Sequence, residues 1–376
     1  LYITRLALEN FRIYPELQLE FPMGLTIIVG PNASGKTALL EAIYVLATTK
    51  SPRTRVDRQM VRWGAAYGRV HGEFVSAQEG TTEISVVLPG AGPGENGSVP
   101  DSKQIRVNGT IVERVADVVG RAAVVIFTTD DVAVVKGSPG GRRRFLNMAI
   151  AQLRPRYLDD LQRYRRALGQ RNEVLKQIRQ GDAGGHSLEA WNQQLIEAGI
   201  GLAMDRREFV ETLNGAAGAI HGELTDAEER LALSYEGDLG EAEDAAGARK
   251  DFEELLARNE DRDVALGYSS AGPHRDDMSM VANDTPLRKY GSQGQQRTAA
   301  LSLKLAQAEV AMSWRGEPPL VLLDDCLSEL DERRGRHVLE LAGELQGLII
   351  TSPVLTELLA AQDAALLRVS AGRIEQ

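Results

Sequence analysis

A phosphate-binding loop near one end of this chain and an apolar strand ending in two carboxylates near the other set narrow limits on its fold. Leu25-Thr26-Ile27-Ile28-Val29 leads into Gly30-Pro31-Asn32-Ala33-Ser34-Gly35-Lys36-Thr37, and far downstream Leu320-Val321-Leu322-Leu323 ends in Asp324-Asp325. Glycine at 30 and 35 permits the backbone angles and close approach that let successive N–H groups face phosphates at a helix start. Lys36 is then placed to reach the outer phosphates of a nucleoside triphosphate, and the Thr37 hydroxyl to ligate Mg²⁺. Asp324 is expected at the same ion, directly or through water, because a hard cation takes oxygen ligands and keeps several waters. Asp325 is expected toward the attacking water, as general base or orienting group. Two acids at the end of an apolar strand are costly to hold without a cation. The two pieces must therefore meet in space.

Composition narrows the class. A chain of 376 residues has room for two or three domains and a full core. Its 43% hydrophobic and 26% charged residues are those of an ordinary soluble globular protein. No run approaches the ~18 uninterrupted apolar residues of a membrane span, and the N-terminus lacks a signal-peptide layout. A cytoplasmic protein with no membrane partner is the expectation. Leu1 is not an ordinary start, so the initiating methionine is expected upstream of this numbering. The single cysteine, Cys326, excludes an internal disulfide and a cysteine-rich metal site, and reads as a small buried filler. A net charge of −10 argues against a protein that coats nucleic acid by overall positive charge. The average hides an asymmetry, however. Arginines crowd 136–179, including Arg142-Arg143-Arg144, Arg154, Arg163 and Arg171, whereas acids dominate 223–263. One part of the surface is thus expected to attract phosphates.

Hydrophobic periodicity outlines the elements. Residues 3–29 alternate as two or three strands around a turn at Tyr14-Pro15. A helix is predicted over 37–46, with Ala38, Leu39, Ala42, Ile43 and Leu46 on one stripe. Period-two stretches follow at 68–75, 82–88, 104–107 and 122–127, and the Gly/Pro-rich stretch 89–97 reads as a surface loop. Residues 142–178 read as helix interrupted near Pro155, and a second long helix covers 188–219. Joined through 181–185, the two are expected to lie antiparallel as a helical lobe inserted into the β-rich one. Strand character returns after Gly267, a helix runs from about Ser292 to Met312, and 348–351 makes a further short strand.

Tyr290-Gly291-Ser292-Gln293-Gly294-Gln295-Gln296-Arg297 places a serine and glycines at a helix start, another anion-binding terminus. Alone it is no more than an N-cap signal. In company with the P-loop, the paired carboxylates and the downstream Ser328-Glu329-Leu330-Asp331, the order resembles the ABC-type ATPases, with Walker A, signature motif, Walker B and D-loop. That resemblance implies ATP and Mg²⁺ as cofactors and a dimer held together by ATP. The signature serine of one subunit meets the γ-phosphate held by the P-loop of another, so Ser292 and Gly294 would act in trans. Asp331 would help organise the composite site.

Within that class the chain is similar to the RecF family of bacterial recombination mediators. The similarity runs through Leu8-Glu9-Asn10-Phe11-Arg12-Ile13-Tyr14, the P-loop, Ser51-Pro52-Arg53-Thr54 and Val135-Lys136-Gly137-Ser138-Pro139. It continues through Arg142-Arg143-Arg144-Phe145-Leu146, Gly272-Pro273-His274-Arg275-Asp276-Asp277, the Ser292 motif and the Asp324 strand, nearly the whole chain in order. The resemblance implies an α/β, SMC-like ABC-type P-loop ATPase head: a mixed β-sheet lobe around a central helix, an inserted helical lobe, and no long coiled coil. The first lobe is expected at 1–130 and 313–376, carrying Walker A, Walker B and the D-loop, and the second at 131–312, carrying the signature. It further implies an ATP-dependent homodimer that binds single- and double-stranded DNA without reading sequence, and a weak DNA-stimulated ATPase with Lys36 and Asp325 as catalytic groups. Action with RecR and RecO in recombinase loading, replication and the SOS response is implied as well.

The chain departs from the pattern in places. After Phe127 the family carries Pro-Glu-Asp, whereas this chain has Thr128-Thr129-Asp130-Asp131, so no residue there is assigned to the metal or water. Transporter-type members of the class place a glutamate where Asp325 stands and a histidine near Thr351, and this chain has neither. The shorter Asp325 arm implies slow hydrolysis. Arg53 is a candidate phosphate contact or a structural residue, His274-Arg275 reads as a structural turn, and Arg142, Arg143 and Arg144 are candidate DNA contacts. The alternatives are the nucleotide-binding subunit of an ABC transporter, which would require that histidine and glutamate, and a P-loop phosphotransferase, which has no use for the Ser292 motif.

Overall fold

The computed structural model describes residues 1–92, 102–181, 188–239, 244–327, 330, 332–342 and 345–375. In chain order, strands β1 (Tyr2–Phe11), β2 (Tyr14–Glu20) and β3 (Gly24–Val29) precede helix α1 (Lys36–Thr48). Strands β4 (Tyr67–Ser76), β5 (Gly80–Pro89), β6 (Gln104–Val107), β7 (Thr110–Val112) and β8 (Val124–Phe127) follow. Next come helices α2 (Val132–Lys136), α3 (Pro139–Leu153), α4 (Pro155–Arg179) and α5 (Glu189–Leu224), then β9 (Leu231–Glu236) and α6 (Ala245–Leu266). After β10 (Asp277–Ala282), β11 (Thr285–Pro286) and α7 (Leu287–Tyr290), helix α8 (Gln293–Arg315) leads to β12 (Leu320–Asp324). The chain closes with α9 (Glu332–Ala342), β13 (Gly347–Ser352), α10 (Glu357–Ala360), β14 (Ala365–Ser370) and β15 (Arg373–Glu375).

These elements form two compact units, Leu1–Asp131 with Lys304–Gln376, and Val132–Leu303. The return to the first unit falls inside α8, at Lys304 rather than at 313, because Lys304 already reaches that unit: its Nζ donates to Ile126 O at 2.9 Å and pairs with Asp131 at 3.0 Å.

The first unit holds two sheets. One is antiparallel, in the order β2-β1-β4-β5-β6-β7, and the other runs β15-β14-β3-β13-β12-β8, parallel except where β15 joins. Helix α1 packs against strands of both. Its sequence predicts a single apolar stripe, yet Ala38, Leu39, Leu40, Ala42, Ile43, Val45, Leu46 and Ala47 are all buried. A helix apolar nearly all round belongs inside. The β1–β2 turn lies at Arg12-Ile13, not at Tyr14-Pro15, with Asn10 and Arg12 in the left-handed region at φ 48° and 53°. Pro15 sits within β2, an edge strand, where a missing N–H is tolerated. Part of the loop predicted at 89–97 lies outside the described residues, beginning at Pro93.

The second unit is mainly helical, with a three-stranded sheet β11-β10-β9. The predicted break near Pro155 is a true junction: α3 stops at Leu153, and Pro155 opens α4 where its missing N–H is not needed. Helices α4 and α5 pack on each other, while most of their link, 182–187, lies outside the described residues. Strand β9 and helix α6 occupy the acidic stretch, where the charges mask short apolar patterns such as Leu231 and Leu233.

Arginines tie this unit together internally. Arg171 is fully buried and meets Asp263 at 2.7 Å, Ser269 at 2.8 Å and Asn192 at 2.7 Å. Arg206, also buried, donates to Pro273 O at 2.6 Å, the Tyr157 hydroxyl at 2.9 Å and Asn147 Oδ1 at 2.9 Å. Removing one partner strands the other charge in the interior. Asp263→Ala should therefore cost about 3–5 kcal/mol in urea denaturation, whereas Lys250→Ala, at an exposed pair with Glu254 3.9 Å away, should stay within about 0.5 kcal/mol of the parent.

Candidate functional site

Strand β3 delivers the chain into the loop 30–35, and α1 begins at Lys36. Two glycines are structurally required. A Cβ at Gly30 would lie 2.1 Å from Val369 O, and Gly35 has φ 116° with the Tyr14 hydroxyl where a Cβ would point. Pro31 and Asn32 form the outer bend and Ala33 adopts φ 63°. Among the described residues, the backbone N–H groups of Ala33, Gly35, Lys36 and Thr37 donate to no protein acceptor, and the buried Ser34 Oγ has no partner. Unsatisfied donors at the start of a buried helix form a built anion cradle. Lys36 folds over it, donating to Gly30 O at 2.6 Å and Pro31 O at 3.1 Å. Burial lowers its pKa, and the nearby Asp325 and Asp324 carboxylates oppose that shift.

The carboxylate strand meets this loop as the sequence requires. In the sheet, β13 lies between β3 and β12, so three parallel strands end side by side. Asp324 Oδ1 accepts from the Thr37 hydroxyl at 3.1 Å and from the Thr351 hydroxyl, on β13, at 2.7 Å. Burial raises the Asp324 pKa above its ordinary value, against the lowering effect of these two hydrogen bonds. Thr37 and Asp324 supply the oxygen donors a hard cation takes, and the nest of N–H groups fits phosphate, so the residues present suit Mg²⁺–ATP.

Asp325 turns off the strand at φ 52°, a left-handed conformation that aspartate tolerates better than most residues. Its N–H is held by Thr351 O at 3.2 Å and Thr351 Oγ at 3.0 Å. Thr351 thus organises both carboxylates, and sequence reasoning passed over it as a site residue. Its signal was a polar side chain closing the apolar run Leu348-Ile349-Ile350. Cys326 is buried, as expected of a filler.

A second overlooked residue is Glu41, a fully buried acid on α1. It accepts from Arg12 at 2.6 and 2.8 Å and from Ser51 at 2.5 Å, and lies 3.9 Å from Arg53. The Arg53 charge adds a minor lowering influence to the Asp324 pKa. After β8, Asp131 accepts from the Thr128 N–H at 2.7 Å and from the Thr128 hydroxyl at 3.1 Å, and it pairs with Lys304. The departure Thr128-Thr129-Asp130-Asp131 thereby gains a structural task.

In the second unit, Ser292 stands exposed ahead of α8, and Gly294 is exposed in its first turn. The Ser292 N–H donates to Gln295 Oε1 at 2.9 Å while Gln295 N–H donates to Ser292 Oγ at 3.1 Å, a reciprocal cap. No described residue accepts the Ser292 hydroxyl hydrogen. Asp331 lies outside the described residues, as do Ser328 and Glu329.

The arginine cluster requires a correction. Arg142 is 2% exposed, bidentate to Asp277 at 2.6 and 2.7 Å and bonded to Gly137 O, so it is not offered to a DNA backbone. Arg143 donates to Asp276 O at 2.6 Å, and Arg144 alone of the three is exposed. His274 is structural: its Nε2 donates to Ser269 O at 3.0 Å, leaving Nδ1 to accept from the Tyr164 hydroxyl at 2.8 Å, and burial lowers its pKa. Arg275 is exposed.

The family model for the RecF/RecN/SMC N terminal domain matches residues 2–371. The DNA replication and repair protein RecF of Halalkalibacterium halodurans is 39% identical over 341 residues, covering 90% of this chain and 89% of its own. The protein of the same name from Exiguobacterium sp. is 37% identical over 383 residues, covering 100% of this chain and 99% of its own. The chain belongs to the RecF family. A solved structure of the recombination mediator protein RecF-ATP in the RecFOR pathway superposes on this RecF-family chain with a TM-score of 0.88 at 29% identity, covering 100% of it and 97% of that chain. The Smc head domain of Pyrococcus furiosus, at 18% identity and a TM-score of 0.56 over 100% of this chain and 95% of its own, shares the fold. The fold is that of an SMC-like ABC-type ATPase head. Among the described residues of this RecF-family chain, no helix is long and apolar enough to cross a membrane.

The raised pKa of Asp324 has a stability consequence. A carboxyl whose pKa is higher folded than unfolded binds more protons in the folded state, so its contribution to stability falls as pH rises through that window. Asp324→Asn keeps an oxygen for Thr37 and Thr351 and removes the charge. It should therefore unfold at a higher temperature than the parent in metal- and nucleotide-free buffer at neutral pH, with the gap closing below about pH 4. Scanning calorimetry across that range checks it, and an equal gap at both ends would contradict the assignment.

Proposed function

We propose that this chain is an ATP-dependent DNA-binding protein of recombinational repair, replication and the SOS response, acting as a cytoplasmic two-copy clamp. The P-loop of each copy binds ATP, Ser292 and Gly294 of the other copy complete the site, and Asp331 helps join the two. The carrying observation is the Ser292 cap. Its oxygen accepts an amide hydrogen, which leaves the hydroxyl hydrogen at the helix start to donate to a phosphate. Lys36 and the amides of Ala33, Gly35 and Thr37 hold the phosphates in cis. Mg²⁺ held by Thr37 and Asp324 would neutralise phosphate charge. Asp325 orients the attacking water and accepts its proton, and hydrolysis is slow because its arm is short. Release follows hydrolysis, and the clamp assists recombinase loading with RecO and RecR.

The DNA reading rests on a different surface from the arginine cluster. Lys50, Arg53, Arg55, Arg58 and Arg62 are all exposed along one loop after α1. The acid in that stretch, Asp57, is already paired with Lys103 at 2.9 Å. Trp63 beside them is 100% exposed and Val56 41%. Cations that follow a phosphate backbone and an aromatic face on which a base stacks are the elements of sequence-independent binding.

A fluorescent gapped duplex titrated with and without ATP tests both halves. Binding should require ATP and weaken steeply with salt, with Ser292→Arg retaining ATP affinity but losing the ATP-dependent gain. Replacing Arg55, Arg58 and Arg62 with alanine should reduce the slope of log affinity against log salt by about one for each phosphate no longer neutralised. Equal affinity with and without ATP would overturn the clamp, and an unchanged salt slope would overturn the surface.

A further inference from the structure

The cap at Ser292 is held from below by a carboxylate bonded to a buried histidine. Helix α5 ends in a turn in which Asp226 and Ala227 both adopt left-handed angles, φ 56° and 60°. Aspartate tolerates such an angle better than most residues, whereas alanine adopts it at a cost that surrounding contacts must offset. Here the Ala227 N–H donates to Gly222 O at 2.7 Å, and the Thr225 hydroxyl donates back to His221 O at 2.7 Å. The turn folds Glu229 back over His221, whose Nε2 lies 3.2 Å from Glu229 Oε2. The other carboxylate oxygen, Glu229 Oε1, accepts from Gln295 Nε2 at 2.9 Å. Gln295 is the residue whose Oε1 and N–H close the reciprocal cap on Ser292.

His221 is fully buried. Ser302 Oγ lies 2.8 Å from Thr298 O and 3.1 Å from His221 Nδ1. With a carboxylate at Nε2, that nitrogen carries a proton and donates to Glu229, whichever role Nδ1 takes toward Ser302. This hydrogen bond from a fully buried ring holds the partly exposed Glu229 carboxylate in place. The Gln295 amide is thereby oriented with its NH₂ toward Glu229 and its oxygen toward the Ser292 N–H. Rotated by half a turn, it would set its NH₂ against that N–H and its oxygen against the carboxylate.

We propose that Glu229 is a positioning residue for Ser292, acting through Gln295 and anchored by His221, so that the signature serine is preset with its hydroxyl hydrogen outward before a second copy arrives. This rests on the reading that Ser292 completes the partner's nucleotide site. Presetting removes a conformational cost that association would otherwise carry, so its loss appears in dimerisation and not in the nucleotide affinity of a single chain.

The test compares full-length variants by sedimentation with ATP, by affinity of the single chain for a fluorescent ATP analogue, and by thermal unfolding. Glu229→Ala should weaken ATP-dependent dimerisation by about tenfold for each of the two sites, the scale of one hydrogen bond to a charged group, with analogue affinity within about twofold of the parent. Glu229→Gln should restore most of the loss, because its oxygen still accepts from Gln295 and its NH₂ faces a neutral His221 protonated on Nδ1. Gln295→Ala should weaken dimerisation comparably, and adding Glu229→Ala to it should cost nothing further, a non-additivity that general destabilisation does not produce. Normal dimerisation of Glu229→Ala, strict additivity with Gln295→Ala, or failure of Glu229→Gln to rescue would each overturn the proposal. Ser292→Arg separates the two levels: if it loses dimerisation while Glu229→Ala keeps it, the positioning role alone falls. If both dimerise normally, the composite-site reading falls and takes this one with it.

Discussion

Everything at the nucleotide site hangs on one carboxylate oxygen. Asp324 Oδ1 accepts from Thr37 on the P-loop helix and from Thr351 on the intervening strand, tying together the ends of three neighbouring parallel strands. The strand order makes this possible. Because β13 lies between β3 and β12, a hydroxyl at its C-terminal end falls between the phosphate loop and the acidic strand. The same threonine holds the Asp325 N–H through two acceptors and so fixes the left-handed turn that presents the second carboxylate. The cost is a buried acid whose pKa is pushed up. A cation would be the natural counterweight to that acid.

Much of the first unit was legible because its motifs are local. A glycine-rich loop between an apolar strand and a helix, and an apolar strand ending in acids, each announce their own geometry. Thr351 and Glu41 were not legible in that way. Each is a single polar residue in an apolar run, and its meaning comes from the two aspartates at the end of a neighbouring strand in one case and from a loop and a turn in the other. The depth of α1 was hidden for a related reason: a stripe on one face predicts one packing surface, and the sequence does not announce a second sheet on the other side.

Charge was the least reliable guide. The arginine-rich stretch 136–179 looked like a phosphate surface, but Arg142, Arg154 and Arg171 are held by Asp277, Asp205 and Asp263, from stretches that sequence alone does not bring near. Arg144, Arg156, Arg163, Arg165 and Arg166 stay exposed there, but a second set of exposed cations lies in the short loop after α1, interleaved with apolar residues and with Trp63 and forming no run. What separates the two cases is whether a carboxylate from elsewhere in the fold arrives, a tertiary fact. The acidic stretch misled in the opposite sense, since its charges concealed β9 and α6.

If a second chain completes each nucleotide site, two inactive variants should rescue one another when mixed: Lys36→Ala, which cannot hold the phosphates, and Ser292→Arg, which cannot complete its partner's site. In a mixed dimer one site draws its P-loop from the Ser292→Arg chain and its intact serine from the Lys36→Ala chain. Steady-state ATP hydrolysis, measured on each variant alone and on an equimolar mixture at the same total protein, should show the mixture clearly above either variant. A mixture whose rate never exceeds the mean of the two variants would contradict the composite site and place Ser292 and Lys36 in the service of the same chain.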